Sequence, residues 1–227
     1  MPDLDHAIVS LTTWILPALL AITLHEAAHG FAADRLGDNT ARMLGRVSLN
    51  PLRHVDPVGT ILLPAMLLLL QAPFMFGWAK PVPVDFRRLR SPRRDMVLVA
   101  AAGPAMNLLL AVVAALMYYG LPFVPDVARQ WALLNLTNLL VFNVVLAVFN
   151  MLPIPPLDGG RVAVGLLPYR LAHPLARLEP IGFMIVLGLF LVLPSLARGL
   201  GIAFEPSYWL ISLPSQAIVR FIIGLVG

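Results

Sequence analysis

Three ionisable side chains occur within five residues of the stretch ITLHEAAHGFAADRLGD, residues 22–38, at the end of a long apolar run. His25 and His29 are four residues apart, so on a helix their imidazoles lie on one face, one turn apart, as chelation of a single metal ion requires. Neutral imidazole ligands suit zinc. Glu26 stands beside the first histidine, where it could take a proton from a water molecule at the metal. The spacing therefore predicts a zinc site with an acid–base group next to it.

The same two histidines have a simpler interpretation, as a pair at a helix end near a membrane surface. In a soluble helix the two interpretations would be about equally good. Here the residues from Ile8 onward are mostly apolar, and an acidic residue at a membrane-embedded position is expensive and generally functional. Glu26 therefore favours the metal site.

Two histidines do not complete a catalytic zinc site, which has three protein ligands and one open position. The best third candidate is Asp158 in NMLPIPPLDGGR, the only acid between Asp126 and Glu179. The prolines of this stretch end a helix and stiffen a turn, and its glycines permit close approach of the backbone to a metal or substrate. The alternative is an aspartate that caps the next helix, with Arg161 as its partner. Together with the upstream histidines, the ligand interpretation is favoured.

The composition places these residues in a membrane. The chain is 59% hydrophobic and 12% charged, whereas ordinary soluble domains are roughly 25% charged. It contains no cysteine, which excludes disulfides and thiolate ligands. No basic and aromatic stripe and no glycine-rich phosphate loop occurs, so we expect no nucleic-acid partner. The arginines from Arg87 to Arg94 are expected to meet the phosphates of the lipid bilayer.

Several stretches are long and apolar enough to cross a hydrocarbon core of about 30 Å as helices. We expect an all-α polytopic membrane protein with about 5–6 transmembrane helices, as one integral-membrane domain over residues 1–227. A weaker stretch, Tyr208–Val226, could span the membrane or lie along its surface. The stronger candidates are Ile8–Ala33, Val58–Phe76, Met96–Tyr119, Trp131–Leu152 and Ile181–Leu200.

The basic residues predict the orientation. The connections 34–57 and 80–95 both hold more basic than acidic residues, which indicates that both are cytoplasmic. A full span between them would place them on opposite sides, so we favour a re-entrant or short segment for residues 58–76, which Pro64 and Pro73 interrupt. The N-terminus is then outside and both polar motifs reach the cytoplasmic side. The stretches GRVSLNP and WAKPVPVDF predict short β-strands at the membrane edge.

The combination of motifs resembles one known family. H-E-x-x-H near a membrane-helix end, followed more than a hundred residues later by N-x-x-P-x-x-P-L-D-G-G-R, resembles the site-2 proteases, which are intramembrane zinc metalloproteases. Between these motifs AAGPAMNLLLA resembles the Gly-Pro helix start of the family. GRVSLNPLRHVDPVGT and FGWAKPVPVD resemble the compact subgroup without PDZ or CBS domains. The resemblance covers nearly the whole chain.

The resemblance implies a role for each site residue. His25, His29 and Asp158 would bind one zinc ion per chain, and Glu26 would be the general acid and base. Asn150 matches the asparagine before the proline turn, which implies a donor to the substrate carbonyl or oxyanion. The alternative for Asn150 is an amide that satisfies the backbone of an interrupted helix.

Two further polar residues are interpreted more simply. Asn107, four residues after Gly103, is expected to form a hydrogen bond between helices and to have no direct catalytic role. His54, in RHVDP, could bring another nitrogen toward the metal, but local capping or pairing with Asp56 is favoured.

The sequence thus predicts an intramembrane zinc metalloendopeptidase of the kind that performs regulated intramembrane proteolysis. Its substrate would be a transmembrane protein, which the candidate strand Lys80–Phe86 could receive by strand addition. We expect an integral protein of the bacterial inner membrane with its active site toward the cytoplasm. The sequence is also compatible with a homo-oligomer. The alternative is a non-catalytic metal-binding membrane protein, such as a zinc carrier or an inactive relative that sequesters helices. Glu26 and the motif at 150–161 favour the enzyme.

Overall fold

The fold is a bundle of helices. The computed structural model describes residues 4–48, 50, 53, 55–62, 66 and 80–227. The α-helices are α1 (Leu4–Arg35), α2 (Thr40–Met43), α3 (Pro92–Met117), α4 (Asp126–Asn150), α5 (Asp158–Leu166), α6 (Tyr169–Ala176), α7 (Glu179–Leu187), α8 (Leu193–Gly199) and α9 (Leu213–Val226). Short 3₁₀-helices lie at Phe86–Arg88 and Tyr118–Phe123. Short π-helical segments lie at Pro57–Leu62, Gly188–Val192 and Tyr208–Ser212.

Five helical segments of the described chain are long and apolar enough to cross a membrane, which confirms the predicted all-α membrane architecture. They are Thr12–Arg35, Pro92–Phe123, Asp126–Asn150, Glu179–Gly199 and Tyr208–Val226. The C-terminal stretch, predicted to span or to lie along the surface, is thus among them. Most of the predicted segment Val58–Phe76 lies outside the described residues, so its re-entrant path stays a prediction.

The two ends of the long connection between α1 and α3 are hydrogen-bonded to each other. The N–H of Arg90 donates to the carbonyl of Leu36 at 3.0 Å, and the N–H of Asp85 donates to the Asp38 carboxylate at 2.7 Å. The chain therefore leaves α1 and enters α3 at one end of the bundle. This geometry agrees with the prediction that both flanking connections lie on one side of the membrane.

Small side chains allow the central helices to approach closely. α1, α3 and α4 all contact one another, α5 packs on α3, and α9 packs on α3 and α4. Along α3 the core is built from Ala111, Ala114 and Ala115, which contact Leu140 and Val144 of α4. Without water to drive apolar association, transmembrane helices pack best where small residues let their surfaces meet. The result is a tight three-helix centre.

The short β-strands predicted at the membrane edge do not form over the described residues. Residues 80–85 have no regular secondary structure and pair with no strand, although the prolines favour an extended backbone in the residues that precede them. Pro81 and Pro83 have no N–H to donate to a ladder, and the N–H of Val82 is bonded to the Glu26 carboxylate. In GRVSLNP, residues 46–48 have no regular structure, and part of that stretch lies outside the described residues.

The segment Glu179–Gly199 is one of the two least buried of the membrane-crossing candidates. It nevertheless touches the turn before α5 very closely. A Cβ atom added to Gly182 would lie 1.5 Å from the carbonyl oxygen of Pro155. Only glycine therefore fits where α7 meets this turn.

Candidate metal centre

The three predicted ligands come together in the structure. His25 and His29 lie on α1, and Asp158 is the first residue of α5; all three side chains are buried. The two Nε2 atoms are 3.1 Å apart, and they lie 3.2 and 3.3 Å from Oδ2 of Asp158. Ligand atoms about 2.0–2.2 Å from a tetrahedral zinc ion are separated by about 3.3–3.5 Å. The observed triangle is close to that size.

The outer nitrogens of the two imidazoles define their tautomers. Nδ1 of His25 is 2.6 Å from Oδ1 of Asn107, and Nδ1 of His29 is 2.7 Å from the carbonyl oxygen of Val99. Both partners are acceptors, so in a neutral ring each Nδ1 carries the proton and each Nε2 is left with its lone pair. Acceptors that bind the outer nitrogen and so orient the ring are typical of histidines that bind metals.

Three acceptor atoms therefore face one another away from solvent. Oδ2 of Asp158 is buried and has no hydrogen-bond donor. A buried carboxylate oxygen against two lone pairs is unfavourable unless a cation lies between them. Among the described residues, His25, His29 and Asp158 are the one group of metal-ligating side chains with this proximity. The donor set and its size fit zinc.

Helix α3 builds the wall behind the imidazoles with residues spaced by four. The carbonyl of Val99 holds His29, and Asn107 holds His25. Between them lies Gly103, where an added Cβ would be 2.5 Å from Nε2 of His29 and 2.7 Å from Nε2 of His25. Residues 99–107 of α3 thus supply two acceptors and the space for two rings on one helix face.

Asn107 connects three helices. Its Nδ2 donates to the carbonyl of Ala21 at 3.2 Å and to Oδ1 of Asn143 at 2.8 Å, while its Oδ1 faces His25. Both asparagines are completely buried. The interhelical hydrogen bond was predicted, but the orientation of a metal ligand was missed. The available signal was the i,i+4 spacing from Gly103, which places both residues on the same face.

The aspartate alternative, a helix cap paired with Arg161, does not fit the structure. The N-cap position of α5 is Leu157, and no side chain caps this helix. Arg161 pairs instead with Glu179, at 3.2 Å. The Asp158 carboxylate is thus left to face the two histidines.

The glycines after Asp158 pack closely against the backbone of the preceding turn. A Cβ on Gly159 would lie 2.2 Å from the carbonyl oxygen of Met151, and one on Gly160 would lie 2.3 Å from the nitrogen of Pro155. These contacts fold the turn back on α5 and fix the position of Asp158 at its start. The predicted approach of this backbone to a metal or substrate stays a prediction.

The other two predicted residues line the same cavity, which has a volume of about 230 Å³. Oε2 of Glu26 accepts the N–H of Val82 at 2.8 Å, so this carboxylate has a fixed direction. Asn150 donates one amide hydrogen to the carbonyl of Leu146 at 3.0 Å. That contact is the backbone role considered as the alternative, and an amide nitrogen has a second hydrogen to donate.

Three further polar residues complete the comparison with the sequence. His54 falls outside the described residues. His173 stacks on Tyr169, with ring centroids 5.5 Å apart, and is not part of the centre. Of the arginines expected to meet lipid, Arg93 donates to the carbonyls of Gly165 and Leu167, so it caps the end of α5 instead.

Comparison with known proteins agrees with this centre. Residues 123–193 match peptidase family M50. The chain is 39% identical over 182 residues to "Putative zinc metalloprotease YwhC" of Bacillus subtilis (strain 168), which covers 78% of this chain and 78% of that protein. The chain belongs to peptidase family M50. This M50 peptidase is also 33% identical over 194 residues to "Putative zinc metalloprotease Rip2" of Mycolicibacterium smegmatis, covering 84% of this chain and 70% of that protein.

A second Rip2 protein, from Mycobacterium tuberculosis H37Rv, is 33% identical over 195 residues, which cover 86% of this chain and 71% of that protein. No solved structure matches the chain. M50 peptidases are the site-2 proteases, and the apolar spans with their buried His-His-Asp group agree with an intramembrane zinc metalloprotease. Its substrates are therefore membrane proteins. Nothing in the family or the geometry favours the non-catalytic alternative.

The space at Gly103 leads to a first prediction. Gly103→Ala places a methyl group within the imidazole pair, so we expect zinc affinity to fall by about 10- to 100-fold as the ligands separate. Zinc bound to the purified M50 peptidase is measured by titration against a chelator. Gly120→Ala is the matched control, since a Cβ there meets no atom within 4 Å. Unchanged affinity in Gly103→Ala would contradict the close contact.

The Asn107 bridge leads to a second prediction. Asn107→Leu leaves Nδ1 of His25 without its acceptor, and loss of such a partner typically weakens metal binding by about 10- to 100-fold. Asn138→Leu is the control, because Asn138 also connects two helices, through the carbonyl of Thr13, but does not contact the centre. Chelator titration of both variants should show weaker zinc binding only in Asn107→Leu. Equal affinity in the two variants would leave Asn107 with a packing role alone.

Proposed function

We propose that this M50 peptidase hydrolyses peptide bonds within or near transmembrane segments. In this proposal the zinc ligands are His25, His29 and Asp158. Glu26 is the general acid and base. The observation that carries the proposal is the buried triangle of three acceptor atoms with no donor among them. Helix α3 covers one side of this triangle of atoms, and the other side opens to the cavity that Glu26 lines.

Zinc, when bound, polarises the scissile carbonyl and makes an attacking water more acidic. Glu26 takes one proton from that water as its oxygen bonds to the carbonyl carbon. As the C–N bond breaks, Glu26 passes the proton to the leaving nitrogen, so the products are a carboxyl group and an amine. The N–H of Val82 directs the carboxylate during both transfers, because it holds Oε2 in the cavity wall.

Asn150 is proposed as the donor to the carbonyl oxygen that gains charge during attack. Its side chain lines the cavity, and its bond to the carbonyl of Leu146 fixes the amide plane while using one of two hydrogens. The backbone role and the donor role are therefore compatible in one side chain.

The substrate segment has to lose helical structure before it reaches the centre. In a helix each carbonyl is already hydrogen-bonded to the fourth N–H along the chain, and side chains surround the peptide bond. Residues 80–85, extended beside Glu26, are proposed to receive the unwound segment. Pro81 and Pro83 have no N–H, so pairing there would depend on the carbonyl groups of this segment.

We further propose one peptidase domain over residues 1–227, in a bacterial inner membrane, with the active site toward the cytoplasm. The positive-inside rule supports this orientation. The two ends of the arginine-rich connection from α1 to α3 meet through Leu36 and Arg90, at the end of α1 that carries His29.

The acid–base role is tested with Glu26→Gln. Glutamine keeps an oxygen for the N–H of Val82 but cannot accept the proton, so we expect bound zinc to be retained and cleavage to fall by at least about 100-fold. The assay uses transmembrane peptides that the wild type cleaves in phospholipid vesicles, with zinc measured in the same samples. Normal cleavage by zinc-loaded Glu26→Gln would show that the mechanism is wrong.

The third ligand is tested with Asp158→Ala. Removing this carboxylate leaves two imidazoles, so we expect most of the zinc to be lost on dialysis against a weak chelator, and activity with it. Asp126→Ala is the control, since Asp126 is exposed and pairs with Arg129 at 2.7 Å, away from the centre. Equal zinc content in Asp158→Ala and Asp126→Ala would remove Asp158 from the ligand set.

A further inference from the structure

Residues 80–85 form an extended segment along the cavity, which we call the strap. Pro81, Val82 and Val84 line the same cavity as the metal ligands. Between residues 81 and 85 the two prolines leave only the N–H groups of Val82, Val84 and Asp85. The first of these is bound by Glu26, at 2.8 Å. The strap therefore contacts the acid–base residue through its backbone.

A second carboxylate holds the far end of the strap. Oδ2 of Asp38 accepts the N–H of Asp85 at 2.7 Å, and its Oδ1 accepts the N–H of Thr40 at 3.0 Å and the hydroxyl of the same residue. Asp38 is completely buried. Its two oxygens thus connect the turn after α1 to the strap.

Asp38 is ionised in this setting. Burial alone would raise the pKa of the carboxyl group, but the hydrogen bonds from Thr40 and Asp85 and the charge of Arg88 hold the pKa below its usual value. Hydrogen bonds to an ionised acceptor are about twice as strong as those between neutral groups. The contact with the strap is therefore a strong one.

The two contacts act on one short length of chain. Val82 and Asp85 are three residues apart, which corresponds to about 10 Å of extended backbone. Asp38 and Glu26 both belong to the α1 region, so the strap is held at two points against the same support. If the contact at Asp85 is lost, the strap can move away from α1 and carry the N–H of Val82 with it.

We propose that Asp38 is a positioning residue of the peptidase reaction, holding the strap through Asp85 so that the N–H of Val82 stays on Glu26. The inference rests on the proposed function, in which Glu26 transfers the proton. Asp38 lies outside the metal ligand set, so its effect on zinc binding is small. A purely local role, in which Asp38 only stabilises the turn through Thr40, is the alternative.

Two variants separate the roles of the individual bonds. Thr40→Val removes the hydroxyl that donates to Asp38 but leaves the contact with Asp85. Asp85→Ala keeps the backbone N–H that Asp38 accepts and removes only the side chain that caps residues 86–88. The positioning role predicts that the strap keeps its wild-type position in both variants and that Thr40→Val cleaves nearly as the wild type, whereas Asp38→Ala differs in both respects.

The position of the strap is read by thiol labelling, which does not require catalysis. The chain has no cysteine, so Val84→Cys places a single thiol on the strap. Loss of one hydrogen bond to a charged group raises the population of a displaced segment by about 10- to 100-fold, and Asp38→Ala should raise the labelling rate at residue 84 accordingly. Ala114→Cys, in the buried core, should stay unlabelled in both backgrounds and report that the bundle is intact.

Cleavage and zinc content complete the test. With a transmembrane peptide that the wild type cleaves, Asp38→Ala should lower kcat by about 10-fold or more while zinc content is kept, since small displacements of catalytic groups carry large rate penalties. Asp38→Asn, which keeps one acceptor oxygen, should be intermediate. Unchanged labelling at residue 84 in Asp38→Ala would overturn the proposal. So would equal loss of kcat in Thr40→Val. Increased labelling with an unchanged kcat would also overturn it, because the strap would then move without affecting the reaction, whereas failure of the Glu26 role itself is read from Glu26→Gln.

Discussion

The structure depends on keeping three hydrogen-bond acceptors together in a buried site. Two imidazole nitrogens and one carboxylate oxygen repel one another unless a cation joins them, so the surrounding chain has to hold them in place. The outer nitrogens are fixed by Val99 and Asn107, and the aspartate is fixed by the turn that folds back before α5. Zinc held by these groups would offset the cost of burying them, and each helix at the centre supplies part of their support.

The same constraint acts on α3 where it faces the two histidines. The helix offers an acceptor to each ring and leaves room for both, with a carbonyl, a glycine and an asparagine at steps of four. Farther along the helix, alanines take over and α3 packs against α4 and α9 as an ordinary membrane helix. One helix thus serves the chemistry at one level and the packing at another.

The sequence predicted which three side chains come together because their signals are local or singular. The histidines follow the helical period, and Asp158 is the only acid in a long apolar part of the chain. The contacts of Asn107 with His25 and of Asp38 with Asp85 were missed, because they join residues 82 and 47 positions apart in the chain. The strand at 80–85 was predicted from alternation alone. Its prolines lack the N–H donors that strand pairing requires, so the alternating pattern of side chains did not produce a strand.

The contact between Gly182 and Pro155 gives the outermost part of the bundle a connection to its centre. α7 belongs to one of the two spans with the least protein around them. Yet it rests, with no side chain between, on the turn that leads into Asp158. A tilt or shift of this helix would press directly on the backbone that presents the proposed third ligand. A force that the bilayer exerts on this span would therefore have a mechanical route to the site that bypasses the packed core.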